Sequence, residues 1–209
     1  MTGPLFAGIC DADVEKMLRC FNASTRHYGA GVDIPWLESR RRIGVLQMGR
    51  AELIRLDGEG NRTMLERLEQ GDVFGEMLRP SVALESLSLQ CTAPCEVLFI
   101  DGTDIIKRCE RACVHHSALV DNLLGLIADK AVRLSERVEV LSCRSIRAKL
   151  MVYFQLLQVK QGGARIVVPM SLTELADYIC VERSAMMREL KHMEQDGSIE
   201  RARREIVLK

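Results

Sequence analysis

The sequence predicts an α+β protein in three successive sections: an all-β section, one long helix, and a pair of short helices closed by a hairpin. Three observations predict it. From about residue 23 to 101, short apolar runs alternate with glycine-rich turns, as in "RIGVLQMGRAELIRLDGEGNRTMLERLEQGDVFGEM", the cadence of successive strands. From residue 112 onward, Cys113, Ser117, Val120, Leu124, Ile127, Ala131, Leu134, Val138 and Leu141 follow one another at alternating spacings of four and three, the heptad pattern of a helix with an apolar seam. Near the end, "SLTELADYICVERSAMMRELKHMEQDGSIE" holds two helix-patterned stretches separated by only the four residues 180–183.

The first element is a helix over about 11–20, with Asp11 as its N-cap. In the β section, "IGVLQMG" and "AELIRLD" have strand composition. Gly58 and Gly60 of "DGEGN" supply the positive φ that a hairpin needs, and "EQGDVFGE" punctuates the next pair. The heptad pattern then predicts a coiled-coil dimer through Val120, Leu124, Ile127, Ala131, Leu134, Val138 and Leu141, with Arg133, Glu136, Arg137 and Glu139 facing water or pairing across the seam. A single amphipathic helix lying on its own domain is the alternative.

After "SCRSIR" the chain reads as a helix over 145–160, a turn at "QGG", a short strand in "ARIVVP", the two short helices, and a terminal hairpin. In that hairpin 198–202 and 205–208 flank a basic pair, which gives a wing. Leu172, Leu175, Ala176 and Ile179 make one apolar face, and Ala185, Met186, Leu190 and Met193 make another. Each face can be buried only against the other and its surroundings, so the tight joint fixes the angle between the helices. The start of the second helix, with Glu182, Arg183, Ser184, Met187 and Arg188, then projects outward, as a helix entering the DNA major groove does. Arginine suits that place because its planar guanidinium donates two hydrogen bonds to guanine O6 and N7.

Composition bounds the function. The 209 residues are 47% hydrophobic and 28% charged, ordinary for one or two globular domains. No run of eighteen apolar residues occurs, and "MTGPLFAGICDADVEKM" lacks the basic start and apolar centre of a signal peptide. A cytoplasmic protein with no membrane partner is expected, and most of its eight scattered cysteines are expected to be free thiols. Net charge is zero, yet residues 142–209 carry 12 Lys+Arg against 8 Asp+Glu, while residues 1–141 carry 17 against 21. A basic surface on the C-terminal section fits this asymmetry. An enzyme is not expected: there is no nucleophile-and-base pair, Walker loop or HExxH motif, and the "GEG" at 58–60 lies in a hairpin turn.

The motifs "GDVFGE" at 71–76, "CEVLFID" at 95–101, "IRAKLMVYF" at 146–154 and "LADYICVERSAMMRELKHMEQDGSI" at 175–199, taken together, resemble the CRP/FNR family of bacterial transcription regulators over nearly the whole chain. The resemblance implies a β-roll (double-stranded β-helix) sensor of cyclic-nucleotide-binding type over 1–111, a dimerisation helix over 112–141 and a winged helix-turn-helix over 142–209. It implies a homodimer whose recognition helices read the two halves of a palindromic double-stranded DNA operator, with RNA polymerase as a further partner. By position Arg183, Ser184 and Arg188 match the family's base-facing residues, with Glu182 beside them. Ser171 and Thr173 match its phosphate-contacting helix start.

The sensor departs from the family pattern. Cyclic-AMP binders carry a cassette from a Gly-Glu pair to an Arg-Ser or Arg-Thr pair. Here Gly75 and Glu76 are present, but Glu85 and Ser86 stand where the second pair belongs. A carboxylate facing the cyclic phosphate costs several kcal/mol relative to arginine. Cyclic AMP is therefore not the expected effector, and Arg79 has the wrong spacing to restore the pattern. The resemblance implies that an oxygen-sensing member would hold an iron–sulfur cluster on a close cysteine group near the N-terminus plus one cysteine in the roll, and only Cys10 and Cys20 occur in the first ninety residues, so a four-thiolate cluster is not expected either. In "CERACVHH", Cys109, Cys113 and His116 would share a helix face and could hold a metal or a haem. Alternatively they are a junction residue, a seam residue and a solvent-facing histidine. Two functions remain open: a regulator with an unknown small-molecule effector, or a haem- or metal-binding redox or gas sensor in which DNA binding is secondary or lost.

Overall fold

The computed structural model describes residues 3–35, 42–60, 62–75, 87–102 and 114–209. They form two compact units, Met1–Asp129 and Lys130–Lys209.

The first unit begins with a 3-10 turn at Pro4–Phe6 and helix α1 (Asp11–Cys20). Cys10, in extended backbone, is the N-cap of α1 rather than Asp11, which is the first helical residue. Two antiparallel sheets follow. One has the order β1 (Ser24–Tyr28), β7 (Cys95–Asp101), β2 (Arg42–Met48), β5 (Val73–Phe74), and the other β4 (Arg62–Leu68), β3 (Ala51–Leu56), β6 (Leu87–Cys91). Alternation along β7 explains the unbroken apolar run "VLFI" at 97–100. Cys95, Val97 and Phe99 point between the sheets, while Leu98 and Ile100 point to the other face, under α1 and the start of the long helix. A strand covered on both faces has no polar side. Gly44 on β2 has no room for a side chain, because a Cβ there would lie 2.2 Å from the Phe74 ring. In the β3–β4 hairpin only Gly60 takes positive φ (+84°); Gly58 does not.

The long helix α2 (Val114–Ser142) is continuous. Leu119 and Leu123 are buried in the core of the first unit, and Val140 in that of the second. The seam predicted from the heptads is a different line. Leu124, Leu134 and Val138 on it are 59%, 42% and 62% exposed, whereas Val120 and Ile127 lean on the first core. Ala131 is exposed and Leu141 half-buried. Arg137, expected to face water or pair across the seam, is buried within the second unit.

The second unit continues with α3 (Ile146–Gln161), β8 (Arg165–Val167), α4 (Leu172–Tyr178), α5 (Arg183–Gln195), β9 (Ile199–Ala202) and β10 (Glu205–Leu208), the strands lying in the order β8-β10-β9. Ser145 caps α3 by accepting from the N–H of Ala148 at 3.1 Å. Gly162 ends it in the left-handed conformation. Leu150 and Phe154 of α3, Leu175 of α4, Met186, Leu190 and Met193 of α5, and Ile166 and Ile206 of the sheet form one core. The two apolar faces predicted for the short helices are therefore the buried ones.

Candidate nucleic-acid interface

The interface is built on α4 and α5. Ser171 is the N-cap of α4 in a reciprocal capping box: its hydroxyl accepts from Glu174 N–H at 3.2 Å, and the Glu174 carboxylate accepts from Ser171 N–H at 2.7 Å. The Ser171 hydroxyl thus keeps only its proton to offer a phosphate. Thr173, the second residue of α4, is exposed.

Residues 179–182 join the helices, so Arg183 is the first residue of α5. Glu182 is its N-cap and makes no side-chain capping bond, which leaves the first N–H groups of α5 without a side-chain acceptor at its positive end. With Met186, Leu190 and Met193 buried, the opposite face carries Ser184, Arg188 and Lys191, all exposed, and Arg183 and Glu182 are exposed at its start. The structure thus leaves Glu182, Arg183, Ser184 and Arg188 exposed along the first two turns of α5, with Ser171 and Thr173 exposed at the start of the preceding helix.

Five cations of this unit are paired with carboxylates. Arg147 of α3 bridges Glu189 of α5 at 2.8 Å and Asp196 just beyond α5 at 2.5 Å. Arg165 pairs with Glu205, Arg201 with Glu194, Lys209 with Glu200, and Lys160 with Glu136. Asp196 is held down to about 2, first by the Ser198 hydroxyl and then by Arg147, so this anchor of α5 stays charged through the whole physiological range. By contrast, no carboxylate among the described residues pairs with Arg183, Arg188, Lys191, or Arg203 and Arg204 at the β9–β10 turn. The sequence marks Arg203 and Arg204 only as the basic pair of the terminal hairpin, not as site residues, and does not single out Lys191. The period of α5 locates Lys191 once Arg188 is assigned, and the hairpin locates the two arginines. Arg203 holds φ +57°, a conformation that favours glycine or asparagine.

In the sensor unit, Gly75 takes φ +88°, where a Cβ would come within 2.7 Å of the Arg42 carbonyl oxygen, so the turn requires glycine. Glu76, Arg79, Glu85 and Ser86 lie outside the described residues, as do Cys109 and Cys113. The histidines beside them do not simply face solvent: His116 packs edge-on to Phe21 at 5.7 Å, and His115 Nε2 lies 3.1 Å from the Asp13 carboxylate. Among the described residues no three His, Cys, Asp or Glu side chains gather to hold a metal. The six described cysteines are all free thiols, and among the described residues no helix is long and apolar enough to cross a membrane.

Comparison with known proteins agrees with this geometry. A model of the cyclic nucleotide-binding domain matches residues 36–112, and one of the Crp-like helix-turn-helix domain matches 148–209. The chain is 25% identical over 158 residues to the probable transcriptional regulator flp of Lacticaseibacillus casei, a match covering 76% of this chain and 65% of that protein's length. Three solved structures share the fold. CprK complexed with OCPA has a TM-score of 0.71 at 13% identity, covering 92% of this chain and 91% of that one. CooA from Carboxydothermus hydrogenoformans has 0.69 at 17%, covering 93% and 86%. The c-di-GMP-responsive regulator CLP of Xanthomonas campestris has 0.61 at 17%, covering 95% and 99%. A cyclic nucleotide-binding domain followed by a Crp-like helix-turn-helix domain, joined by one long helix, makes this chain a member of the CRP/FNR family.

Proposed function

We propose that this protein is a homodimeric, sequence-specific DNA-binding transcription regulator whose sensor domain answers to an effector other than cyclic AMP. The observation that carries the reading is the sorting of charge in the C-terminal unit. Arg147, Arg165, Arg201 and Lys209 are paired with carboxylates, while among the described residues no carboxylate pairs with Arg183, Arg188, Lys191, Arg203 or Arg204 on α5 and the wing turn. Uncompensated arginine and lysine on a projecting helix and hairpin are what a polyanion with readable base edges selects. The work divides as 1–111 for sensing, 112–141 for dimerisation and 142–209 for DNA. Dimerisation through α2 is supported by Leu124, Val132, Leu134 and Val138, large apolar side chains left exposed in the single chain. A non-cyclic-AMP effector is supported by Glu85 in the cassette and by relatives of this fold whose names cite other ligands, OCPA and c-di-GMP.

Arg183 and Arg188 reach base edges, with Ser184 and Glu182 beside them, and Ser171 and Thr173 hold the backbone. Binding across a randomised duplex library separates these roles. Arg188→Ala is expected to lose roughly 1–3 kcal/mol on the preferred operator and to relax preference at one symmetric pair of positions. Thr173→Ala is expected to weaken all sequences alike, because a phosphate contact positions without reading. An Arg188→Ala profile parallel to wild type at every position refutes the base-reading role.

A further inference from the structure

The C-terminal end of α4 is where the two helices are joined, and its backbone acceptors can be accounted for one by one. The carbonyls of Leu175, Ala176 and Asp177 accept the N–H groups of Ile179, Val181 and Cys180 at 3.0, 3.0 and 3.2 Å. The next two carbonyls have donors from other helices: Arg137 Nε of α2 lies 3.2 Å from Tyr178 O, and Lys149 Nζ of α3 lies 3.0 Å from Ile179 O. Arg137 is only 8% exposed, and its guanidinium carbon stands 5.0 Å from the centre of the Tyr178 ring. Its Nη2 is 4.0 Å from the Sγ of Cys180, which holds the turn at φ +53°.

A helix as short as α4 is not stable alone in water. Its last carbonyls are orphans at the negative end of the helix dipole, so the groups that hold them also orient it. We infer that Arg137, with Lys149 beside it, is a positioning residue for DNA reading: a two-cation clamp on the helix-turn-helix joint that sets the angle at which α5 is presented. The inference rests on α5 being the base-reading helix. Bidentate contacts to base edges demand a narrow geometry, whereas phosphate contacts tolerate displacement. Loosening the clamp therefore lowers sequence preference more than overall DNA affinity.

Arg137→Met removes the donor but keeps the length and the apolar contact with Tyr178; Arg137→Lys keeps a cation. Affinity is measured by fluorescence anisotropy for the preferred operator, selected from the library, and for a random duplex of equal length. The ratio of the two is expected to fall about tenfold in Arg137→Met while random-duplex affinity changes less than about twofold. Arg137→Lys recovers part of the ratio, and Lys149→Met lowers it in the same direction. A residue that only stabilises the fold would lower the active fraction on both duplexes alike, so equal losses overturn the inference, as does an unchanged ratio in Arg137→Met and Lys149→Met. Should Arg137→Met not fold, Lys149→Met alone decides by the same ratio. If wild type prefers no operator, the base-reading assignment fails instead. The clamp is then read by hydrogen exchange: faster exchange confined to the Cys180 and Val181 amides in the variants supports it, and unchanged exchange overturns it.

Discussion

Cys91 and Cys95 flank the turn between β6 and β7, and both side chains are buried between the sheets. Cys95 Sγ donates to the carbonyls of Arg50 and Ala93, each at 3.2 Å. The Cys91 thiol is pushed up to about 12, first by burial and then by its hydrogen bond with Cys95. The thiolate is the nucleophile, so Cys91 is inert at neutral pH, whereas Cys10, Cys20 and Cys180 are exposed. Mild alkylation with iodoacetamide followed by peptide mass spectrometry is expected to label these three in the native protein, and Cys91 and Cys95 only after denaturant. Native labelling of Cys91 at the rate of Cys180 would refute this. The sequence could not say which way these thiols point, because each end of a strand-turn-strand unit can face either side. Arg137 was illegible for a related reason. Its heptad position suits solvent, and the carbonyl that holds it lies 41 residues further along the chain.

At the scale of elements, α2 has two apolar lines. The line read from the sequence contains Leu124, Leu134 and Val138, and it is the one left exposed. The line that packs within the first unit contains Leu119 and Leu123, each one residue before a seam position, so the regular heptads masked it. The double variant Leu134→Lys, Val138→Lys is expected to be monomeric by sedimentation velocity and to lose operator binding. Burying a charge against its symmetry mate is strongly unfavourable, while the exposed positions of both residues in the single chain leave its fold intact. A variant that stays dimeric with native affinity would show that dimerisation does not use this line. The short helices were more legible than α2. Each has one apolar face, and the few residues between them leave one way to bury both. Only their ends shifted, since Arg183 belongs to α5 rather than to the turn.

Over the whole molecule, the order of sections was legible because the hydrophobic period changes from two in the strands to a heptad and then to short amphipathic helices. Which residues neutralise one another was not, since pairs such as Arg147 with Glu189 and Asp196 join positions 42 and 49 residues apart. The net charge of zero therefore says nothing about the α5 surface, where the excess is concentrated by pairing elsewhere. The same reasoning governs the sensor. Family membership brings a cyclic nucleotide-binding domain over 36–112, and the proposed reading of its cassette puts Glu85 where cyclic-nucleotide binders carry arginine. Isothermal titration with cyclic AMP and with cyclic GMP is expected to give no binding tighter than about millimolar, because removing one charge-assisted contact and adding a repulsion costs several kcal/mol, each ~1.4 kcal/mol being tenfold in affinity. Glu85→Arg restores the cassette pattern and is expected to tighten binding of at least one of the two nucleotides by tenfold or more. A micromolar dissociation constant for the wild-type protein would mean that another basic group holds the phosphate, and that the identity of residue 85 does not decide which effector this regulator senses.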